Sequence, residues 1–241
     1  MSQPDLATTQ PKNDKPAAGG GKAKRRLRRL AVSLAMTAVL AGAVTWYAYY
    51  YVFKAGFAEV VPGQVYRSSQ PSPAELREMV RKYGLRTVIC LRGENEPEIQ
   101  AVEKVAAELG VKFVSISLHA SKLPEPRQMA KLVDALDNAP RPILIHCRQG
   151  VDRSGMASAV AALIVGKVGL AKALVQLPLL RANGNHVYVC DVLGQYKGWC
   201  ARSSANADDP AMFRKWLKEH YTGQATDDPQ LVPRIPLISS E

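Results

Sequence analysis

Apolar residues occur along the chain in one long stretch and in several short ones. The long stretch runs from Leu30 to Phe53 without a charged residue. At 1.5 Å per residue, a helix of this length measures roughly 36 Å, which is enough to cross a hydrocarbon core of about 30 Å. The aromatic residues from Trp46 to Tyr51 are typical of the point where a helix leaves the lipid. The pattern therefore predicts a single transmembrane helix over residues 30–53.

After Val60, short apolar runs alternate with amphipathic helical patterns. Strands are predicted over residues 64–67, 87–91, 111–118 and 142–146, and helices over residues 73–83, 97–109, 126–136 and 154–165. The chain from there to about Tyr221 is predicted to be helical, with breaks at Gly169, Pro178 and Gly184. This alternation is typical of an α/β fold with a central, mostly parallel sheet flanked by helices.

Local start and stop signals support one of these helices in particular. Ser72 can cap the helix, Pro73 fits its first position, and Glu75 can complete a capping box. Gly84 follows the last helical residue and can end the helix.

The formal net charge of +11 is concentrated at the amino terminus. Residues 1–54 carry nine Lys or Arg and two Asp, or +7, so the remainder carries +4. A domain with this modest charge suits an anionic substrate and gives no indication of a nucleic-acid partner.

These features divide the chain into four parts. They are a disordered basic cytoplasmic tail over residues 1–29, a transmembrane signal anchor over 30–53, a folded domain over 57–221 and a loose tail over 222–241. A cleaved signal peptide is the alternative to the anchor, with Ala41-Gly42-Ala43 as the cleavage site. Because basic residues stay in the cytoplasm, both alternatives export the domain, which in a bacterium places it in the periplasm, tethered to the inner membrane by the anchor.

The four cysteines match neither a disulfide framework nor a zinc pattern. Cys90 closes an apolar run and is predicted to be a small buried hydrophobic residue. Cys190 and Cys200 are ten residues apart; unpaired helical thiols are the simpler interpretation, and a disulfide is the alternative.

The segment from His146 to Gly155 carries the chemistry, because it joins a buried strand to a helix through a loop that contains glycine. In such a loop, several backbone N–H groups point into one concavity, where the helix dipole also favours an anion. Gly150 permits the backbone angles that the ring requires. The same donors stabilise the thiolate form of Cys147, which makes it a nucleophile. Arg153 closes the ring with a planar fork that can bind two phosphate oxygens.

The segment from His146 to Ser154 has the pattern His-Cys, five residues, then Arg-Ser. This pattern resembles the signature of the protein tyrosine and dual-specificity phosphatases. The segments Val65–Pro71 and Thr87–Glu94 are similar to the bacterial dual-specificity-like branch, so the resemblance covers roughly residues 60–200. It implies a cysteinyl-phosphate mechanism without metal or cofactor. The implied roles are nucleophile for Cys147, phosphate ligand for Arg153, an aid to thiolate departure for Ser154 and tuning of the cysteine for His146. The implied phosphate-binding loop comprises Arg148, Gln149, Gly150, Val151, Asp152 and Arg153.

The general acid departs from the family pattern. The family supplies it as an Asp on the loop that here follows Leu118, and residues 119–126 contain none. Asp152 is the preferred replacement, as in the myotubularin-type branch, with Glu125 and His119 in reserve. An ion pair or a helix amino-terminal charge is the alternative role for Asp152. Arg67 and Arg92, at predicted strand ends, are candidates either for substrate contact or for structural ion pairs.

Three functions follow from these residues. The first is a membrane-anchored phosphomonoesterase acting on phosphorylated protein, lipid or glycan. The second is a pseudophosphatase that binds phosphate without turnover, which the intact Cys147 disfavours. The third is a rhodanese-type sulfurtransferase or arsenate reductase, which the Asp-Arg-Ser ending of the loop disfavours.

Overall fold

The computed structural model describes residues 20–49, 57–93, 95–177 and 187–225. It separates into two compact units, Met1–Ala48 and Tyr49–Glu241. The predicted breaks at Pro178 and Gly184, the first 19 residues and most of the predicted loose tail lie outside the described residues.

The first unit contains helix α1, Gly20–Tyr49. Its segment Lys24–Trp46 is the one helix in the described part of the chain that is long and apolar enough to cross a membrane. The predicted disordered tail over residues 1–29 needs correction, because Gly20–Arg29 belong to this helix. Lys, Arg and Leu are good helix formers, so the basic run continues the apolar helix instead of interrupting it.

The second unit alternates short strands and helices. In chain order its elements are β1 Ala58–Val61, β2 Val65–Ser68, α2 Pro73–Tyr83, β3 Thr87–Cys90, α3 Pro97–Glu108, β4 Lys112–Ser115, α4 Pro126–Asn138, β5 Ile143–His146, α5 Asp152–Ile164, α6 Leu170–Ala173, a 3-10 helix Leu174–Gln176, α7 Val187–Ser203 and α8 Pro210–Glu219. The capping box predicted from Ser72 and Glu75 is confirmed, and Gly84 ends α2 in the left-handed conformation, with φ of 64°.

The five strands form one sheet in the order β1-β2-β5-β3-β4. β5 pairs in parallel with both β2 and β3, and β3 pairs in parallel with β4, so the predicted mostly parallel sheet is confirmed. β1, which is antiparallel to β2, was not predicted from the sequence. The central position of β5 places the residues that follow it in the middle of the carboxyl edge of the sheet.

Helix α5 fits against the centre of the sheet because its residues are small. All eleven residues from Ser154 to Ile164 are buried, and most of them are Gly, Ala or Ser. α5 belongs to the larger of two hydrophobic clusters, together with alternate residues of β2, β3 and β5 such as Val65, Ile89 and Ile145. Tyr66, Val88 and Leu144, which alternate with them, belong to the second cluster. Both ends of the loop between β5 and α5 are therefore anchored in the core.

Two predicted boundaries near that loop differ from the structure. The strand predicted over residues 111–118 is only Lys112–Ser115, although Ile116 N still donates to Cys90 O at 2.8 Å. The helix predicted from Ser154 begins at Asp152. The first helical turn therefore includes Asp152 and Arg153, which brings both side chains to the amino terminus of α5.

Candidate active site

The loop between β5 and α5 folds around the sulfur of Cys147. Cys147 is only 3% exposed, and Gly150 N donates to its Sγ at 3.2 Å. Gly150 has a φ of 73°, a left-handed conformation that glycine adopts without steric cost. A backbone donor at this distance stabilises a thiolate better than a thiol, because sulfur accepts more strongly when it is charged.

The loop also offers backbone donors for an anion. The N–H groups of Arg148, Gln149 and Val151 donate to no backbone carbonyl in the part of the chain that the structure describes. The first hydrogen bond of α5 in this region runs from Gly155 N to Val151 O at 2.8 Å, so the preceding N–H groups of the helix lack a helical acceptor. Such groups around the end of a helix form an anion-binding concavity.

Ser154 lies directly beside the nucleophile candidate. Its side chain is fully buried, and its Oγ is 3.4 Å from Cys147 Sγ. One turn further along α5, Ser158 is also fully buried, but its hydroxyl has no partner among the described residues. The contact with sulfur therefore depends on the position of Ser154 at the start of the helix.

Arg153 is held by the ends of two other strands. Its Nη1 donates to Leu91 O at 3.4 Å, just after β3, and to Leu118 O at 3.2 Å, beyond β4. These two backbone carbonyls carry no signal in the sequence, because any residue type could supply them. They fix the guanidinium at the carboxyl edge of the sheet, where the loop around Cys147 also lies.

His146 lies in the core at the end of β5. The side chain is fully buried, and neither ring nitrogen has a hydrogen-bond partner among the described residues. Burial, together with the positive charges of Arg92 and Arg153, lowers the pKa of His146 to about 4. The imidazole is neutral at pH 7, so it brings no positive charge to Cys147.

The three candidates for the general acid have different surroundings. Asp152 is half-buried at the first position of α5, next to Arg153. Glu125 is exposed at the start of α4, with its carboxylate 3.4 Å from Arg127 Nη2. His119 is also exposed, and its Nδ1 accepts a hydrogen bond from Ser121 N at 3.2 Å. Asp152 is the one that lies in the candidate loop itself.

The loop that carries His119 and Glu125 is held in place by residues that follow α8. Tyr221 Oη donates to Pro124 O at 2.6 Å, and this contact is buried. Space for a side chain at Gly223 is limited, because a Cβ there would lie 3.0 Å from Pro126 Cδ. The chain after α8 therefore packs on the same loop.

The two arginines proposed at strand ends have different partners. Arg92 is 5% exposed and forms ion pairs with Glu96 and, at 3.4 Å, with Glu98, so the structural alternative applies to it. Arg67 Nη1 donates to Gln176 O at 2.7 Å. The neighbouring Gln70 contacts the candidate loop through its backbone, since Gln70 N donates to Arg148 O at 3.2 Å.

The other two cysteines with described side chains make no hydrogen bond to the loop around Cys147. Cys90 and Cys200 are buried free thiols, and burial raises the pKa of each. The side chain of Cys190 lies outside the described residues. No group of three His, Cys, Asp or Glu residues able to hold a metal ion occurs within the ranges that the structure describes.

Comparison with known proteins identifies relatives that share this region. Residues 58–176 match a family model described as a DSP-PTPase phosphatase fused to NAD+ kinase. A rice protein (Oryza sativa subsp. japonica), the inositol diphosphatase DSP1, is 36% identical over 104 residues. The match covers 41% of this chain and 45% of the rice protein, so the chain spans less than half of that relative's length.

Solved structures of phosphatases also resemble the chain at low sequence identity. The core catalytic domain of the PP-IP phosphatase Siw14 from S. cerevisiae matches with a TM-score of 0.45 and 19% identity, covering 62% of this chain and 93% of that one. PTPMT1 matches with a TM-score of 0.44 and 20% identity, covering 61% and 98%. A putative phosphatase from Shewanella putrefaciens matches with a TM-score of 0.42 and 18% identity, covering 52% and 82%.

Proposed function

Because residues 58–176 belong to the dual-specificity, cysteine-based phosphatases, we propose that this chain hydrolyses phosphomonoesters through a cysteinyl-phosphate intermediate. One observation carries the proposal. Cys147 Sγ lies at the base of a loop of backbone donors, 3.2 Å from Gly150 N and 3.4 Å from Ser154 Oγ. This arrangement suits a sulfur that is a thiolate before attack and again after release.

The first step forms an S–P bond and breaks the P–O bond to the leaving group. The thiolate of Cys147 attacks phosphorus, while the loop N–H groups and the Arg153 guanidinium bind the non-bridging oxygens. The leaving oxygen takes a proton from the general acid, for which Asp152 is the preferred candidate. Its position beside Arg153 in the first turn of α5 supports this choice.

The second step breaks the S–P bond. Water attacks phosphorus and gives a proton to the group that acted as the acid in the first step, inorganic phosphate forms, and the sulfur leaves as a thiolate. A hydroxyl that donates to the departing sulfur lowers the barrier of this step, and Ser154 Oγ lies within reach of that sulfur. No cofactor takes part in either step as proposed.

We propose that the substrate is a phosphorylated protein, lipid or glycan, and direct assay distinguishes these classes. The name of the rice relative adds an inositol diphosphate to the candidates. A panel of phosphotyrosine peptides, phosphoinositides, phosphatidylglycerophosphate, lipid A phosphates and an inositol diphosphate separates these classes. The substrate with the highest kcat/KM identifies the class.

We further propose that α1 anchors the protein as a single-pass span of a bacterial inner membrane, with the catalytic domain in the periplasm. Six basic residues between Lys22 and Arg29 precede the apolar segment, and such clusters remain in the cytoplasm. A reporter that is active only after export, fused after Glu241, should be active. Carbonate washing should leave the protein in the membrane. Release of a shorter form beginning near Val44 would instead indicate a cleaved signal peptide.

Substitution of the nucleophile tests the enzymatic proposal. Cys147→Ser should abolish turnover and keep measurable binding of phosphate or vanadate, because the backbone donors remain. Cys200→Ser is the matched control, because Cys200 is also a buried free thiol but lies in α7, and it should keep full activity. Activity above a tenth of wild type in Cys147→Ser would rule out the covalent mechanism.

Assays of the wild-type protein separate the alternative functions. Addition of a chelator should leave activity unchanged, and peroxide should abolish it. Phosphate binding without turnover on any substrate would indicate a pseudophosphatase. Turnover of thiosulfate or arsenate would indicate the sulfurtransferase or reductase.

A further inference from the structure

Arg67 lies on the same face of the sheet as Cys147. β2 and β5 pair in parallel with Arg67 opposite Ile145, and paired residues of neighbouring strands point to the same face. Val65, two residues before Arg67, belongs to the same hydrophobic cluster as Ile145 and Cys147. Because residues two apart on a strand share a face, Arg67 projects toward the side of the sheet that carries the nucleophile.

The guanidinium of Arg67 is partly buried and has unused hydrogen-bonding capacity. Its Nη1 donates to Gln176 O at 2.7 Å, whereas its Nε is buried without a partner among the described residues. Burial lowers the pKa of Arg67 and the charge on Cys147 raises it, so the two groups interact electrostatically. An arginine remains charged at every pH at which the protein is folded.

The charge of Arg67 is also less compensated than that of its neighbour. Arg92 is paired with Glu96 and Glu98, but no carboxylate in the described part of the chain lies within ion-pair distance of Arg67. Arg67 interacts electrostatically with Cys147, Asp152 and Arg153 lie in the first turn of α5 that follows it, and Arg92 and Arg153 act on the neighbouring His146. Arg153 is the proposed phosphate ligand and Arg92 is paired with carboxylates, which leaves Arg67 as the one of these three arginines without either role.

We propose that Arg67 is a positioning residue for the nucleophile, whose positive charge holds Cys147 in its thiolate form from the β2 side of the loop. Through Gln176 O, the same side chain also ties the 3-10 helix Leu174–Gln176 to the site. The inference rests on the proposed function, because it takes Cys147 as the nucleophile. It concerns the ionisation of the sulfur, which is measurable even on a protein that turns over no substrate.

Alkylation of Cys147 as a function of pH tests this directly. The full-length protein is treated with iodoacetamide between pH 4 and pH 9, and mass spectrometry of the peptide containing Cys147 gives the rate. Removing a nearby cation disfavours the thiolate, so Arg67→Met should move the midpoint of the alkylation profile upward by about one pH unit. At pH values below the wild-type midpoint, the rate should fall roughly tenfold.

Arg141→Met is the matched control. Arg141 is also half-buried, donates through Nη2 to one backbone carbonyl, Leu136 O, at 2.7 Å, and has a buried Nε without a described partner. It precedes β5, at the end of the sheet opposite to Cys147. The control should therefore keep the wild-type alkylation profile, although both variants lose an equivalent contact.

Arg67→Lys separates charge from folding. It keeps the positive charge and loses the planar guanidinium, so its alkylation midpoint should stay close to that of wild type. If Arg67→Met does not fold, as judged by circular dichroism, Arg67→Gln replaces it in the comparison with Arg67→Lys. An unchanged midpoint in the folded neutral variant, or an equal shift in Arg141→Met, would overturn the proposal. Failure of the proposed function would appear separately, as absent turnover with a normal alkylation profile.

Discussion

Replacing Ser154 with alanine removes one hydroxyl from the candidate site and should leave the fold intact. Ser154 is fully buried in α5, a helix that already contains several alanines, so alanine fits the same space. The substitution removes the contact of 3.4 Å between Oγ and Cys147 Sγ. It changes neither the loop backbone nor the two carbonyl contacts of Arg153.

The size of the effect follows from the kind of hydrogen bond that is lost. A hydrogen bond to a charged group contributes about 1.5 to 3 kcal/mol. In the second chemical step the sulfur leaves as a thiolate, and the hydroxyl stabilises that developing charge. Losing it should slow breakdown of the cysteinyl-phosphate by roughly 10-fold to 150-fold, at about 1.4 kcal/mol for each factor of ten. The first step begins with the thiolate, so it should slow less.

Pre-steady-state kinetics reveals which step has slowed. With p-nitrophenyl phosphate, Ser154→Ala should give a burst of p-nitrophenol close to one equivalent of enzyme, followed by slow turnover. Because breakdown then limits the rate, kcat should be the same for substrates with good and poor leaving groups. The trapped intermediate should carry phosphate on the peptide containing Cys147.

Ser158→Ala provides the control, because Ser158 is equally buried one turn along the same helix and its hydroxyl has no described partner. This variant should keep wild-type kcat and show no burst. If Ser154→Ala lowers kcat without a burst, or if Ser158→Ala lowers it equally, the hydroxyl does not assist departure of the thiolate. A wild-type rate in Ser154→Ala would lead to the same conclusion.

Two further predictions concern Asp152 and His146. Asp152→Asn should slow hydrolysis of unactivated aryl and alkyl phosphates by roughly a hundredfold or more, and that of p-nitrophenyl phosphate much less. An equal loss of activity on all substrates would show that Asp152 is not the general acid and would leave Glu125 and His119 as candidates. Burial lowers the pKa of His146 to about 4, so below its ordinary value of 6.5 the unfolded state binds more protons than the folded state, and stability falls as the pH drops. We expect urea unfolding at pH 7 and pH 4.5 to show that the free energy of unfolding falls less in His146→Gln than in wild type, by on the order of 2 to 3 kcal/mol. The control His220→Gln, at an exposed position, should lose as much as wild type.

The centre of the fold could be predicted because its signals are local. The apolar run of β5, Gly150 and the small residues of α5 each indicate their own conformation, and together they place Cys147 in a loop between a strand and a helix. The capping box at Ser72 is equally local. These features depend on neighbours within a few residues, which a sequence displays directly.

Features that depend on distant parts of the chain escaped prediction. β1 is stabilised by antiparallel pairing with β2, a contact that its own four residues do not display. The partners of Arg153 are backbone carbonyls 35 and 62 residues away. Every residue type has such a carbonyl, so the sequence does not mark these positions. The contact of Arg67 with Gln176 spans 109 residues. Pairing and long-range hydrogen bonds become visible only when the sheet is assembled.

The two carbonyl contacts of Arg153 also determine how it can hold a phosphate. A guanidinium has five N–H donors, and Nη1 supplies two of them. Both are directed at protein carbonyls, which leaves Nε and Nη2 on one edge of the plane. That edge has the geometry to bind two oxygens of a phosphate side by side, so under the proposed function it would set the orientation of the phosphoryl group. A lysine here has three donors on one atom and could not serve two carbonyls and two phosphate oxygens together.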